Sequence, residues 1–152
     1  MRTIQKGREP RLLEIYRQTA DASFGNLPRE TKDEIQAQLV EEQRGLCCYC
    51  QSRIRADWTG MKIEHWQSQA SYPERQLVYA NLFGACLGGD GRSPTDQHCD
   101  TKKANRDLKW NPADTAHAIE ARLKYLVDGT ILSPDEEFNT QLNDTLGLNL
   151  SY

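Results

Sequence analysis

Long apolar runs are missing from this sequence. Nothing in it approaches the roughly 18 consecutive apolar residues that a membrane-spanning helix needs, so no membrane segment is expected. An apolar stretch near the start is lacking as well: Met1 is followed by Arg2, Lys6 and Arg8 with no apolar run behind them. No secretory signal is therefore expected, and the chain reads as cytoplasmic. Histidine is scarce, with three residues scattered at His65, His98 and His117. That pattern does not make the open, His-rich zinc site of a small-molecule hydrolase. Excess positive charge is also absent, because 19 Lys and Arg face 22 Asp and Glu for a net charge of -3. The chain is thus not a strongly basic, self-sufficient nucleic-acid binder, and any such function rests on a local patch or on a partner.

What is present fits one domain. The 152 residues, 38% of them hydrophobic, can build one modest core. There is no internal repeat or low-complexity tract. The reading divides the chain into an N-terminal helical region (1–45), a chemistry-bearing core (46–110) and a C-terminal extension (111–152).

Residues 10–20 are expected to be helical, with Pro10 at the first helical position. A second helix is expected from residue 28 or 30 to 44, carrying Ile35, Leu39 and Val40 and stopped by Gly45. Residues 61–66 read as a strand, and residues 99–108 as a helix before the breaker Pro112. The stretch 119–127 alternates Ile119, Ala121, Leu123, Tyr125 and Val127 with polar residues, which predicts a strand turning at Asp128-Gly129. A helix over 114–126 is the alternative, because the residues are good helix formers. Ser133 and Pro134 are expected to cap and open a last helix.

Five cysteines in a reducing compartment point to metal or buried thiols before disulfides. Cys47-x-x-Cys50 with Cys86 and Cys99 downstream can supply four thiolates to a closed, structural Zn²⁺ site. Ordinary buried thiols, or a redox pair at Cys47 and Cys50, are the other readings. A redox pair is usually set after a strand in a βαβ context, whereas this one follows a helix. His98 is a rival ligand to Cys99, and Cys48 a rival to Cys47.

Glu64-His65 closes the predicted strand. Side chains of neighbouring strand residues point to opposite faces, but at a strand end both can line one cleft. Asn81, Asp100 and Lys103 follow, interleaved with the cysteines. A basic cluster of Lys102, Lys103, Arg106 and Lys109 can contact backbone phosphates without reading sequence, although a solvated helix face gives the same pattern. Trp58, Trp66 and Trp110 can stack on bases or pack in the core.

The order Cys47-x-x-Cys50, Glu64-His65, Asn81-Leu82, Cys86 and Cys99-Asp100-x-x-Lys103 resembles the motif of HNH (ββα-metal) endonucleases with a four-cysteine zinc. Over the whole chain, Ile4-Gln5-Lys6-Gly7-Arg8-Glu9-Pro10, Leu46 to Cys50, Ile63 to Trp66 and His98 to Lys103 are similar to HNH subunits of Septu-type and retron-associated antiphage systems. Leu146-Gly147-Leu148-Asn149 is similar to a segment beyond which those subunits tend to continue, so a terminal element is expected to be absent or shorter here.

The resemblance implies an α+β fold: a ββα-metal core with structural zinc, flanked by N-terminal helices and a C-terminal hairpin and helix. It further implies that Glu64 and Asp100 hold one Mg²⁺ or Mn²⁺, that His65 is the general base, and that Asn81 braces the loop or the His65 backbone. The family more often has Asn or His where Asp100 stands and Asp where Glu64 stands. Asp100 is a good hard-cation ligand but adds negative charge near a phosphate, and Glu64 shifts the metal by a methylene. The expected activity is hydrolysis of nucleic acid, DNA before RNA, beside an ATPase partner. The alternative is a zinc-stabilised binding module with an inactive nuclease fold.

Overall fold

The computed structural model describes residues 1–150. Four helices and two small antiparallel sheets, joined by short 3-10 turns, make a mixed α+β architecture. The helices are α1 (Arg11–Tyr16), α2 (Arg29–Glu42), α3 (Cys99–Lys103) and α4 (Glu136–Thr140), the last running into a wider turn over Gln141–Thr145. The strands are β1 (Lys62–His65), β2 (Leu82–Ala85), β3 (Lys124–Tyr125) and β4 (Ile131–Leu132). No helix among the described residues is long and apolar enough to cross a membrane.

α2 forms because Thr31, Ile35 and Leu39 recur at helical spacing and are all buried. Pro28 precedes it without using its absent N–H. Its end differs from expectation. The Gly45 N–H bonds the Val40 carbonyl at 2.8 Å and the Arg44 N–H bonds Glu41 at 3.1 Å, the two bonds of a Schellman motif. Arg44, not Gly45, therefore occupies the first left-handed position, at φ 54. α1 is shorter than expected, and Pro10 stands just outside it.

The centre is the β1–β2 pair, with Lys62 opposite Ala85, Ile63 opposite Gly84, Glu64 opposite Phe83 and His65 opposite Leu82. Gln43, just past α2, extends this sheet like a short piece of backbone. Its Nε2 donates to the Gly84 carbonyl, and its Oε1 accepts from the Gly84 N–H, both at 2.7 Å. Gly84 keeps this approach close, because a Cβ would stand 2.8 Å from Ile54 Cδ1 and make that side chain shift. The opening segment is fastened to the same sheet by the Lys6 ammonium. Lys6 Nζ lies 2.9 Å from both the Glu42 carboxylate and the Leu82 carbonyl, and 3.8 Å above the Tyr79 ring.

Three expectations in the second half are corrected. α3 stops at Lys103, because Ala104 leaves the helix at φ 50 and the chain turns to bury Leu108. The alternating stretch forms a 3-10 turn over Ile119–Arg122 and only two strand residues, and the helical alternative is replaced by short 3-10 turns. Ala118 in the left-handed region breaks the repeat, and only Ile119 and Leu123 enter the core while Tyr125 and Val127 are exposed. The turn at Asp128-Gly129 does form, with Gly129 at φ 88. α4 starts later than expected: Asp135 caps it by accepting from the Phe138 N–H at 2.9 Å, while Ser133 Oγ accepts from the Asp135 N–H at 3.2 Å.

Candidate metal centre and catalytic cleft

The tight turn after α2 carries the first two thiols. The Leu46–Arg53 bridge closes it, and the Cys47 N–H donates to the Ser52 carbonyl at 2.8 Å. Cys86 follows β2 and Cys99 opens α3. The glycine-rich loop between them bulges outward while its ends are pinned: the His98 N–H bonds the Gly88 carbonyl at 2.9 Å, and Thr101 Oγ1 bonds the Leu87 carbonyl at 2.8 Å. Gly88 sits at φ 57, and a Cβ on it would collide with the His98 carbonyl.

The result is that Cys47, Cys50, Cys86 and Cys99 place their sulfurs within 4.8 Å of one another. Cys47 lies 3.9 Å from Cys99, and Cys50 lies 3.7 Å from Cys86. Four sulfurs at ~2.3 Å from a tetrahedral Zn²⁺ stand ~3.8 Å apart, so the donor set fits a closed structural site. Cys48 is buried and does not join the four, with its N–H on the Gly84 carbonyl and its thiol pKa raised by burial. His98 stays beside the cluster, its Nδ1 3.2 Å from the Cys99 sulfur, without joining the four.

A polar cleft of about 500 Å³ opens next to this centre, with Glu64, His65, Gln69 and Asp100 in its lining. Glu64 is 2% exposed. Burial first, and the neighbouring Asp100 carboxyl second, push its pKa well above the usual carboxylate range. Tyr49 donates its hydroxyl to Glu64 Oε1 at 2.6 Å, and Lys103 Nζ stands 2.9 Å from the same oxygen. A buried carboxyl group facing a partly exposed one, Asp100 at 22% side-chain exposure, is an oxygen donor set of the hard-cation kind. Asp100 is also approached by Lys62, at 3.9 Å.

His65 is held at both ring nitrogens. Its Nε2 lies 2.9 Å from the Gln76 carbonyl, which can only accept, so the proton is assigned to Nε2. Nδ1 is then the lone-pair nitrogen, 3.4 Å from the Gln69 amide. The Phe24 ring meets the imidazole edge-on at 4.4 Å. Burial lowers the His65 pKa, which favours the neutral ring. Asn81 spans the β1–β2 connection: its Oδ1 accepts from the Gln67 N–H at 2.8 Å, and its Nδ2 donates to the carbonyls of Gln67 and Arg75. It thereby fixes the loop that delivers Gln76 to His65.

The expected phosphate cluster is largely taken apart. Lys103 is fully buried against Glu64 and donates to the His65 carbonyl at 3.1 Å, so it is not a surface contact. Arg106 spends its guanidinium on the carbonyls of Lys102, Asp144 and Thr145, tying α3 to the C-terminal segment. Lys109 is ion-paired with Asp135 at 2.6 Å and Glu137 at 3.1 Å. Lys102 remains partly exposed.

Tyr49, Gln69 and Gln76 were not singled out by sequence. Tyr49 carried a signal, because its place inside the Cys47–Cys50 turn ties it to the metal centre, whereas a backbone carbonyl such as that of Gln76 leaves none.

No family model matches the chain. It is 25% identical over 104 residues to the Septu protein PtuB of Bacillus thuringiensis, a match that takes in 68% of this chain and 34% of that protein. The chain spans about a third of the length of this relative, to which it is distantly similar.

Proposed function

We propose that this chain is a metal-dependent HNH-type endonuclease that hydrolyses phosphodiester bonds, DNA before RNA, as the nuclease component of an antiphage defence system with an ATPase partner. The observation that carries the reading is the convergence of Glu64, His65 and Asp100 on one cleft beside the four-cysteine cluster. The distant similarity to a Septu protein supports the defence setting.

In this reading Zn²⁺ at the four cysteines is structural, since no coordination position is left over. Glu64 and Asp100 would hold one Mg²⁺ or Mn²⁺, and their paired carboxyl groups fit a hard cation that keeps its other positions for water and phosphate. When bound, that cation neutralises charge building on the scissile phosphate and the leaving oxygen.

His65 Nδ1 takes a proton from the attacking water. The Gln76 carbonyl keeps the Nε2 proton in place and so selects the tautomer whose lone pair faces Gln69 at the cleft. Lys103 and Tyr49 hold Glu64 in one rotamer, and Lys103 offsets its charge. Asn81 acts through the loop, not on the substrate.

The test is cleavage of plasmid DNA and of RNA with Mg²⁺ or Mn²⁺, by the wild type and by His65→Ala, alone and with the neighbouring ATPase. His65→Ala is expected to fold, keep its zinc, and cut at least ~100-fold more slowly. Undiminished cleavage by His65→Ala would show that the base lies elsewhere. No cleavage of either nucleic acid, with the ATPase present, would leave the chain a zinc-stabilised binding module.

A further inference from the structure

The loop between Ile54 and β1 holds out a tryptophan. Trp58 is 78% exposed, while Ile54 and Met61 on either side of it are buried. Exposing a side chain of that size forfeits a large apolar burial, and here the exposure is imposed by a firmly built turn. Asp57 Oδ1 accepts from the Thr59 N–H at 2.9 Å, and the Asp57 carbonyl accepts from the N–H groups of Gly60 and Met61, each at 3.0 Å. Gly60 lets the turn close, since a Cβ there would stand 2.9 Å from Arg55 Cβ. The turn thus fixes the backbone from which the exposed indole projects.

Trp58 stands in a groove of about 550 Å³ with Phe24, Arg29 and Lys32. Lys62, Ile63 and Asp100 line both this groove and the catalytic cleft, so the two are continuous. Phe24 joins them physically: its ring touches His65, and Lys32 Nζ lies 5.9 Å above it. The Arg29 charge is partly met by Asp33 at 3.8 Å, and Lys62 is paired with Asp90 at 3.1 Å. Lys32 has no ion-pair partner among the described residues. An aromatic platform followed by cations and then a carboxylate-lined cleft is the arrangement that takes a nucleobase on its face and its phosphates alongside. A base inside a duplex has no free face to offer, so the groove selects unpaired or frayed strands.

We propose that the groove from Trp58 to Asp100 seats an unpaired nucleotide of the substrate, its base stacked on the Trp58 indole and its backbone against Lys32 and Arg29, next to the bond to be cut. This deepens the nuclease reading and rests on it. Free DNA and RNA single strands share the chemistry, and separate arms of the test tell them apart.

The test uses the zinc-loaded full chain carrying His65→Ala, so that oligonucleotides survive, at low ionic strength. Binding of labelled single-stranded DNA, single-stranded RNA and duplex DNA is measured for this protein and with Trp58→Ala or Trp58→Phe added. Loss of one base–aromatic stack predicts about tenfold weaker binding of a single strand by Trp58→Ala. Trp58→Phe should recover most of it, and the duplex should be unaffected. Whichever single strand shows the effect is the substrate class. Melting temperature and zinc content should not change, because the side chain lies outside the core.

Single-strand binding that is indifferent to Trp58→Ala, an equal loss for single strand and duplex, or no binding of any oligonucleotide would each overturn the proposal. With His65 intact, the two readings separate. Trp58-dependent binding without cleavage under any condition sinks the nuclease reading and leaves the groove. Cleavage with Trp58-independent binding does the reverse.

Discussion

Lys103→Met is the most informative single change, because Lys103 has no exposed surface and its ammonium answers two acceptors on buried residues. Nζ stands 2.9 Å from Glu64 Oε1 and 3.1 Å from the His65 carbonyl. Methionine fills a similar volume without the charge. Removing one partner of a buried ion pair costs about 3–5 kcal/mol, because the other charge is left uncompensated. The orphaned His65 carbonyl adds to the loss, at roughly 1–3 kcal/mol for a buried unsatisfied acceptor. Glu64 limits the damage by taking up a proton, a response its already raised pKa makes easy. At neutral pH the net loss should therefore be about 3 kcal/mol, a large part of the ~5–15 kcal/mol that holds a domain together.

The loss has a pH signature. Without Lys103 the folded-state pKa of Glu64 rises further above its unfolded value of about 4.3. A carboxyl shifted upward carries no penalty below its unfolded pKa, and the penalty grows as the pH climbs toward the folded value. Below the wild-type folded pKa of Glu64 both proteins carry the same penalty, so the stability gap between them should widen only as the pH rises past that raised value. Adding Glu64→Gln, which keeps an acceptor for Tyr49 and removes the charge, should recover part of the loss. Urea denaturation of zinc-loaded protein, without other divalent cations, reads all of this as shifts of midpoint at constant slope. A loss under about 1 kcal/mol, or no recovery on adding Glu64→Gln, would refute the buried pairing.

Two further outcomes follow from the same geometry. Purified protein should carry about one tightly held Zn²⁺, and Cys50→Ser or Cys86→Ser should give insoluble or unfolded material, as metal binding in such a small site is part of folding; well-folded protein found metal-free by elemental analysis would remove the site. If the proposed function holds, the isolated chain should cut weakly at physiological salt and strongly with an ATPase partner, because Lys103 is buried and Lys109 and Arg106 are occupied, leaving few cations for phosphates; rapid digestion of DNA by the lone protein at that salt would refute this.

The parts of the fold that could be read in advance are those specified locally. α2 shows in the spacing of Ile35 and Leu39, and the Asp128-Gly129 turn shows in its dipeptide, because both depend on residues within a few positions of one another. The stretch from Ile119 to Val127 could not be read this way. Its alternation suits a half-buried strand, yet Tyr125 and Val127 face solvent, and the backbone was decided by a left-handed Ala118 and by Arg122 stacking 4.4 Å from the Trp110 ring. Such long-range contacts override local propensity.

The same division runs through the site. The cysteines are legible because a Cys-x-x-Cys pair with two further cysteines downstream is the ligand count of a closed zinc site. A lysine in a run of basic residues, by contrast, looks like every other cation near it. Lys102, Lys103, Arg106 and Lys109 are alike in composition and differ only in what stands opposite them. Lys103 meets a buried carboxylate brought from β1, and Arg106 meets the carbonyls at the end of the C-terminal turn. A charge is driven inward only when folding supplies a partner good enough to offset its lost hydration. Glu64 is such a partner, and it is itself kept buried by Tyr49 from within the cysteine turn. The cysteine cluster, the strand bearing His65 and the helix bearing Asp100 are therefore joined through one hydrogen-bonded carboxylate. Disturbing the cysteine cluster should displace Glu64 through Tyr49 before it reaches His65, whose own anchors lie on the other side, at Gln76 and Gln69.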